Sequence, residues 1–68
     1  MRDLASEGST YGNIGAIYEL LGNYEKALEY YNKTLEIAQK IGNGENESIA
    51  YGYIGDVYLD HVEIMKSP

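Results

Sequence analysis

Apolar residues recur at helical spacing in three segments of the chain. The first segment predicts a helix from about Ser6, a candidate N-cap, to Leu21, with Tyr11, Ile14 and Tyr18 on its apolar side. The second predicts a helix over about residues 24–41, with charged positions largely off its apolar stripe. The third predicts a helix from about residue 45 to about residue 65. The pattern therefore predicts an all-α chain.

Glycine-containing turns separate these segments. Gly22-Asn23 follows the first segment, and Gly42-Asn43-Gly44 follows the second. Because glycine and asparagine tolerate the left-handed backbone geometry that ends a helix, Gly22-Asn23 predicts a tight reversal. We therefore expect an antiparallel helical hairpin followed by a third helix.

Glycines also occur in pairs inside the predicted helices. The pairs are Gly8 with Gly12, Gly12 with Gly15, and Gly52 with Gly55. Each interior glycine costs about 1 kcal/mol relative to alanine, and the close approach of a facing helix would explain that cost. Since one pair returns after forty residues, we expect the same close contact to be built twice.

Composition narrows the class of protein. A chain of 68 residues is one domain at most, and without cysteine it has no disulfide to supplement a small core. Its formal net charge of −6 argues against nucleic acid as a partner, since binding to phosphates depends on Lys and Arg. No apolar run predicts a membrane span or a secretory signal. We therefore expect a soluble, cytoplasmic protein.

Few residues of the sequence are candidates for a catalytic or metal-binding site. His61 lies beside Asp60 and two positions before Glu63. Adjacent helical residues do not share a face, so a solvated helix surface is a better interpretation than a metal or acid–base site. No nucleophile–base pair, cofactor fingerprint or ligand cluster appears in the sequence. These observations favour a protein that is not an enzyme and that has no metal and no cofactor.

An internal repeat is the strongest feature of the sequence. Residues 11–18, YGNIGAIY, return as residues 51–58, YGYIGDVY. The two copies are forty residues apart. A repeat period of this length indicates a solenoid, and pieces of solenoids usually bind other proteins along a stacked surface. Where Gly22-Asn23-Tyr24 would recur, the sequence is Val62-Glu63-Ile64. No turn is predicted there, so we expect the third helix to run on and the second unit to stay incomplete.

The first unit resembles a tetratricopeptide repeat. The positions of that motif are held by Tyr11, Ile14-Gly15, Tyr18, Gly22-Asn23-Tyr24, Ala27 and Tyr31. Thr34 and Gln39 depart from it, since a small residue and a proline are usual there. The resemblance implies an α-solenoid fragment of about one and a half repeats of the longer, forty-residue type. It implies a single domain over 1–68, with repeat one at 6–45 and a partial repeat two at 46–66.

The resemblance also implies a binding surface, because the first helices of successive hairpins in this family line a concave groove. It therefore implies a protein–protein interaction module or scaffold that holds a peptide or a partner protein. The binding residues it implies are Asn13, Ala16, Glu19, Leu20, Tyr53, Asp56 and Asp60, with Ser9, Gly12, Ile49, Gly52 and Leu59 on or near the groove. Asn13 matches a place where members hold a peptide backbone. Since this surface is acidic and has no matching base, we expect a basic or neutral partner.

Self-assembly is the alternative function. If the second hairpin is not completed, one apolar face of the third helix lacks its partner. We expect Ile54, Val57, Tyr58 and Val62 to lie on that uncovered face. Pairing with another copy would then produce a homo-oligomer. The two functions are compatible, and sedimentation over a wide concentration range separates them.

Overall fold

Three α-helices make up the described part of the chain. A computed structural model describes the backbone of residues 3–66 and the side chains of residues 3–62, so the ends of the predicted domain lie outside the described residues. The helices are α1 (Leu4–Leu20), α2 (Tyr24–Lys40) and α3 (Gly44–Lys66). Both α1 and α3 pack against α2. The predicted all-α hairpin with a third helix is confirmed.

The two interhelical turns have the same geometry because the same dipeptide, Gly-Asn, occurs in both. Gly22 has a φ of 79° and Gly42 has a φ of 69°, a left-handed conformation that glycine adopts without steric cost. The backbone N–H groups of Asn23 and Asn43 each donate to the carbonyl oxygen five residues earlier, at 2.9 Å. This bond closes the end of the preceding helix and reverses the chain.

The two turn asparagines also begin the helices that follow. The side-chain oxygen of Asn23 accepts from the backbone N–H three residues later at 3.2 Å, and that of Asn43 does so at 3.1 Å. An N-cap of this kind satisfies one of the N–H groups that lack a partner within the helix. One Gly-Asn pair therefore ends one helix and starts the next, which keeps each connection short.

The N-terminus of α1 differs from the sequence prediction. Asp3 is the N-cap, because the backbone N–H of Ser6 donates to its Oδ1 at 3.2 Å. The hydroxyl of Ser6 also donates to Oδ2 of Asp3 at 2.8 Å. These bonds hold the pKa of the Asp3 carboxyl below its ordinary value. The prediction that Ser6 caps the helix is wrong, since Ser6 is already in the first turn and is a donor to the cap.

The core lies where all three helices meet. Ala27, Tyr31 and Val57 form a buried cluster, and Tyr31 and Val57 are each only 1% exposed. Partly buried apolar side chains pack around this cluster, among them Tyr18 and Ile54. The small side chain of Ala27 leaves room for its larger neighbours, so side chains of α1 and α3 both pack against this part of α2.

Two side chains that the sequence assigned to the uncovered face of the third helix belong to this core. Val57 is buried and Ile54 is half-buried against the same cluster. With the buried Ala50 they form a stripe at helical spacing that packs on α2. The placement of Ile54 and Val57 on a free face is therefore wrong. Tyr58 and Val62 are exposed, as that expectation requires.

The helical glycines are buried in α1 and exposed in α3. Gly8, Gly12 and Gly15 of α1 are buried. A Cβ built at Gly15 would lie 2.8 Å from two ring carbons of Tyr31, so only glycine permits this approach. The expectation of close helix packing is confirmed for α1. It is wrong for α3 within the described residues, because a Cβ built at Gly52 or Gly55 would have no neighbour within 4 Å.

Candidate functional site

A cleft of about 240 Å³ lies between α1 and α3, with α2 at its base. We call it the neutral cleft, because no charged residue lines it. Its base is apolar and consists of Ile37, Ala38 and Ile41, together with Thr34. The α1 wall includes Gly8, Ser9, Gly12 and Asn13, and the α3 wall consists of Asn46, Ile49 and Tyr53. An apolar base with a few polar groups on the walls is the general composition of a binding pocket.

The polar side chains of the neutral cleft differ in whether they are free to form a hydrogen bond with a ligand. Thr34 Oγ1 lies 3.0 Å from the carbonyl oxygen of Gly8 and 3.3 Å from that of Tyr30, so its hydroxyl is occupied in joining α2 to α1. Asn13 is exposed on the α1 wall, and its side-chain amide makes no hydrogen bond within the described part of the chain. Since an amide offers both donors and an acceptor, Asn13 is the group best able to pair with a peptide backbone.

Glu19 of α1 lies near two carboxylates of α3, and we call this group of three the acidic end. It consists of Glu19, Asp56 and Asp60. Burial is the first cause that raises the pKa of the Glu19 carboxyl above its ordinary value. Contact with the Asp60 carboxyl and the charge of Asp56 raise it further, against a lowering hydrogen bond from Tyr31. The structure therefore brings together acidic residues that lie on different helices in the sequence.

A pair of stacked tyrosines links the neutral cleft to the acidic end. The rings of Tyr31 and Tyr53 lie 5.0 Å apart between centroids at an interplanar angle of 21°. The hydroxyl of Tyr31 donates to Glu19 Oε1 at 2.8 Å. Burial and the neighbouring Glu19 carboxylate raise the pKa of Tyr31, so its hydroxyl stays protonated and continues to donate. Tyr31 therefore contacts a wall residue of the neutral cleft through its ring and Glu19 of the acidic end through its hydroxyl.

The predicted binding residues divide into three sets in the structure. Asn13 and Tyr53 line the neutral cleft, and the three carboxylates form the acidic end. Ala16 and Leu20 are exposed on α1 outside the cleft. The prediction that these residues bind a partner stays a prediction.

Sequence reasoning missed the base of the cleft. The predicted second helix includes Ile37, Ala38 and Ile41, but apolar spacing alone does not indicate that they form the base of a cleft. The apolar end of α2 is accessible because α1 and α3 lie on either side of it, and no local sequence pattern indicates that arrangement.

His61 shows no arrangement typical of a catalytic or metal site. It is exposed, and its ring packs edge-on against Tyr24 with centroids 5.4 Å apart at 75°. Within the residues that the structure describes, no group of three His, Cys, Asp or Glu side chains could hold a metal ion. None of the helices in that same part of the chain combines the length and the apolar character needed to span a bilayer.

Known proteins share the sequence pattern of this chain. The tetratricopeptide repeat family matches residues 6–61. A TPR repeat-containing protein of Methanocaldococcus jannaschii is 42% identical over 43 residues, which are 59% of this chain and 14% of that protein. The Tonsoku-like protein of Drosophila melanogaster is 38% identical over 48 residues, 71% of this chain and 3% of that protein. The chain thus spans a small part of either relative. No solved structure matches it.

Proposed function

The chain belongs to the tetratricopeptide repeat family, whose members are in general protein-interaction modules, and we propose that its neutral cleft and acidic end together hold an extended segment of a partner protein. The observation that carries this proposal is the open cleft between α1 and α3, with an unpaired amide on its wall and three carboxylates beside it. The proposed activity is binding without a catalytic step.

The chemistry of the two parts supports a partner with one apolar and one basic side chain. The base of the neutral cleft offers apolar contact through Ile37 and Ile41. At the acidic end, the charges of Asp60 and Asp56 disfavour the ionised form of Glu19, and no cation among the described residues offsets them there. A lysine or arginine of the partner would relieve that repulsion, and the formal net charge of −6 would favour its approach.

The distance between the neutral cleft and the acidic end determines how many residues separate the apolar and the basic side chain of the partner. Asn13 and Glu19 are six residues apart on α1, which is about 9 Å along the helix axis. An extended partner in the polyproline II conformation advances about 3.1 Å per residue and, with three residues per turn, carries every third side chain on the same side. The basic side chain should therefore lie about three residues from the side chain that enters the neutral cleft.

Synthetic peptides with acetylated N-termini and amidated C-termini, which carry no terminal charge, test this proposal directly. We would compare fluorescent ten-residue Gly/Ser peptides carrying one leucine and, three residues later, lysine, glutamine or glutamate. The lysine peptide should bind most tightly and the glutamate peptide least, and added salt should reduce the difference. Equal affinities for the three peptides, or no binding by any of them, would refute the proposal.

Two charge-reversal variants sharpen the test. Asp56→Lys places a cation at the acidic end and should reverse the order of lysine and glutamate peptides. Glu36→Lys makes the same change in net charge on the surface that α1 and α2 form near Tyr11, away from the acidic end. This variant should still bind the lysine peptide more tightly than the glutamate peptide. Both side chains are exposed, so far-UV circular dichroism should show an intact fold for each. Equal effects of the two variants would indicate a long-range charge effect instead of a site.

Self-association through α3 is a second candidate function, and the exposed Tyr58 and Val62 support it. Two copies could bury these side chains against each other. Sedimentation velocity from micromolar to millimolar concentration tests this candidate. A sedimentation coefficient that stays at the monomer value over that range would reject it, and the peptide experiment would be unaffected.

A further inference from the structure

The turn between α2 and α3 contains the one asparagine of the sequence that is followed by glycine. Asn43 precedes Gly44, whereas the other four asparagines precede isoleucine, tyrosine, lysine and glutamate. A glycine on the carboxyl side of asparagine favours loss of the side-chain amide, because no Cβ hinders its backbone nitrogen from reaching the side-chain carbonyl. The sequence thus indicates Asn43 as the asparagine most susceptible to this change.

The backbone nitrogen of Gly44 is available as a nucleophile in the folded chain. Gly44 is the first residue of α3, so its N–H has no acceptor inside the helix. No other acceptor bonds to this N–H among the described residues. Gly44 is also exposed, and a Cβ built there would have no neighbour within 4 Å. Water and hydroxide therefore reach this nitrogen and can remove its proton.

The side-chain carbonyl of Asn43 is polarised by the hydrogen bond that caps α3. Its Oδ1 accepts from the backbone N–H of Asn46 at 3.1 Å. Attack on Cγ moves negative charge onto this same oxygen, and a donor already in place at a helix N-terminus stabilises such charge. The bond that begins α3 therefore also favours attack on the asparagine.

We propose that Asn43 is a site of spontaneous deamidation in the folded chain, with the backbone nitrogen of Gly44 as the nucleophile and water as the second reactant. The nitrogen loses its proton to solvent and forms a bond to Cγ of Asn43, which closes a succinimide ring. The bond from Cγ to the side-chain nitrogen breaks, and that nitrogen takes up a proton and leaves as ammonia. Water then opens the ring at either carbonyl carbon, which gives aspartate or isoaspartate at position 43.

The turn between α1 and α2 contains a matched asparagine that lacks this nucleophile. Asn23 makes the same cap, since its Oδ1 accepts from the backbone N–H of Lys26 at 3.2 Å. The next residue is Tyr24, whose side chain packs against the core cluster and whose ring lies 5.4 Å from that of His61, between centroids. This anchored side chain hinders the approach of the Tyr24 nitrogen to Cγ of Asn23. The repeat therefore contains a reactive and a slowly reacting copy of one turn.

The two products have different effects on α3. Aspartate keeps an acceptor at the N-cap and adds one negative charge to the formal net charge of −6, at the end of the helix dipole that favours it. Isoaspartate routes the main chain through the former side-chain carbonyl, which lengthens the main chain by a methylene group. The backbone oxygen of Asn43, which accepts from the N–H of Glu47 at 3.0 Å, then belongs to a free carboxylate. Isoaspartate thus displaces both oxygens that begin α3.

This displacement affects the neutral cleft, because α3 carries one of its walls. Asn46, Ile49 and Tyr53 of that wall follow directly on the turn. The backbone N–H of Asn43 holds the turn to the end of α2 through its bond to the carbonyl oxygen of Ala38 at 2.9 Å. The added methylene lies between this bond and the wall. Formation of isoaspartate therefore shifts the α3 wall relative to the base of the cleft.

Timed incubation of the full chain, followed by tryptic peptide mapping, tests the proposal. Trypsin cleaves after Lys26 and Lys40, so Asn23 and Asn43 are recovered in different peptides. Tandem mass spectrometry distinguishes Asn43 from Asn46, and chromatography separates the aspartate and isoaspartate forms. Asn43 should be converted at least about tenfold faster than Asn23, and its rate should rise with pH as the Gly44 nitrogen loses its proton more readily. The measurement uses no ligand, so it does not depend on the proposed function.

Two glycine variants provide a matched pair. Gly44→Ala adds a Cβ beside the attacking nitrogen and should slow the conversion of Asn43 by roughly tenfold or more. Gly52→Ala adds a Cβ elsewhere on α3 and should leave the rate within about twofold of the wild type. A Cβ at either position would meet nothing within 4 Å among the described residues, so both variants should keep their fold.

A third variant separates the two products. Asn43→Asp contains the aspartate product from the start and should melt close to the wild type, because the cap keeps its acceptor. An aged sample enriched in isoaspartate should melt at a lower temperature. Equal melting of these two samples would contradict the effect assigned to isoaspartate.

The deamidation site itself is overturned by equal conversion of Asn23 and Asn43, or by an unchanged rate in Gly44→Ala. Strong slowing by sucrose would overturn it as well. Sucrose disfavours the unfolded state, so a rate that falls with added sucrose would place the reaction in unfolded chains and not in the folded turn.

Discussion

Replacing Gly15 by alanine should leave the chain less stable than the same replacement of Gly55, which should stabilise it. The two glycines hold equivalent places in the repeated segment. In α1 the added Cβ would lie 2.8 Å from two ring carbons of Tyr31, well inside the separation of about 3.5–4.0 Å at which carbon atoms attract each other. In α3 the added Cβ would meet nothing within 4 Å among the described residues.

The ring of Tyr31 has little freedom to move away from a new methyl group. It is 1% exposed, it stacks on Tyr53 with centroids 5.0 Å apart, and its hydroxyl is bonded to Glu19 at 2.8 Å. Overpacking of such a site costs about 1–3 kcal/mol. Alanine gains about 1 kcal/mol of helix propensity over glycine at either position. The propensity gain cancels between the variants, so Gly15→Ala should be about 1–3 kcal/mol less stable than Gly55→Ala.

Urea and thermal unfolding followed by circular dichroism at 222 nm measure this difference. For a domain of this size, 1 kcal/mol corresponds to about 4–8 °C in the melting temperature. The midpoint of Gly55→Ala should lie above that of the wild type, and the midpoint of Gly15→Ala should lie below that of Gly55→Ala. If the two variants melted at the same temperature, the close approach of α2 to Gly15 would not be a constraint on the fold.

Three further predictions concern the turns and the acidic end. Asn43→Ala should lower the free energy of unfolding by about 1 kcal/mol in urea titrations, because α3 loses its N-cap; an unchanged midpoint would contradict this role. Tyr31→Phe should lower it by about 1–2 kcal/mol through loss of the bond to Glu19, and Tyr11→Phe, which removes a hydroxyl without a described hydrogen bond, is the control. Because the pKa of Glu19 is raised in the folded chain, Glu19 stays protonated there at pH values just above 4.5, where it has already lost its proton in the unfolded chain. The contribution of this proton to stability is therefore full below the ordinary value of 4.5 and disappears as the pH rises through the raised pKa. The stability difference between the wild type and Glu19→Gln should therefore shift in favour of the wild type on acidification, and a pH-independent difference would contradict this assignment.

The turns were the most predictable part of the fold. Gly-Asn occurs at 22–23 and again at 42–43, and both copies adopt the same left-handed glycine and the same asparagine cap. Local geometry of this kind depends on two adjacent residues and not on distant contacts, so sequence alone determines it. The bounds of α2 followed directly, since both of its ends are set by these turns.

The start of α1 was harder to predict for a physical reason. Asp3 and Ser6 are both good N-cap residues, and they lie three positions apart, which is the separation between a cap and the residue that donates to it. Either residue could therefore be the cap or its partner when only local sequence is considered. The geometry decides for Asp3, whose two carboxylate oxygens accept both bonds.

The faces of α3 could not be assigned from apolar periodicity, because apolar side chains occur on more than one side of this helix. Val57 and Tyr58 are adjacent and both suit a buried surface, yet Val57 is buried and Tyr58 is exposed. Which side α2 takes depends on packing between helices that are distant in sequence, and residue type alone does not encode that. The base of the neutral cleft was missed for the same reason, since it becomes a surface only when α1 and α3 lie on either side of it.

The glycines separate these faces better than the apolar residues do. A large apolar side chain stabilises whichever face buries it, so its presence does not distinguish one partner helix from another. A glycine inside a helix lowers stability unless a close contact compensates, and in α1 the contact of Tyr31 with Gly15 supplies that compensation. Within the described residues, Gly55 repeats the cost without the contact. The repeated segment thus carries the same glycine in two helices, and among those residues it is the copy in α1 that a facing helix contacts closely.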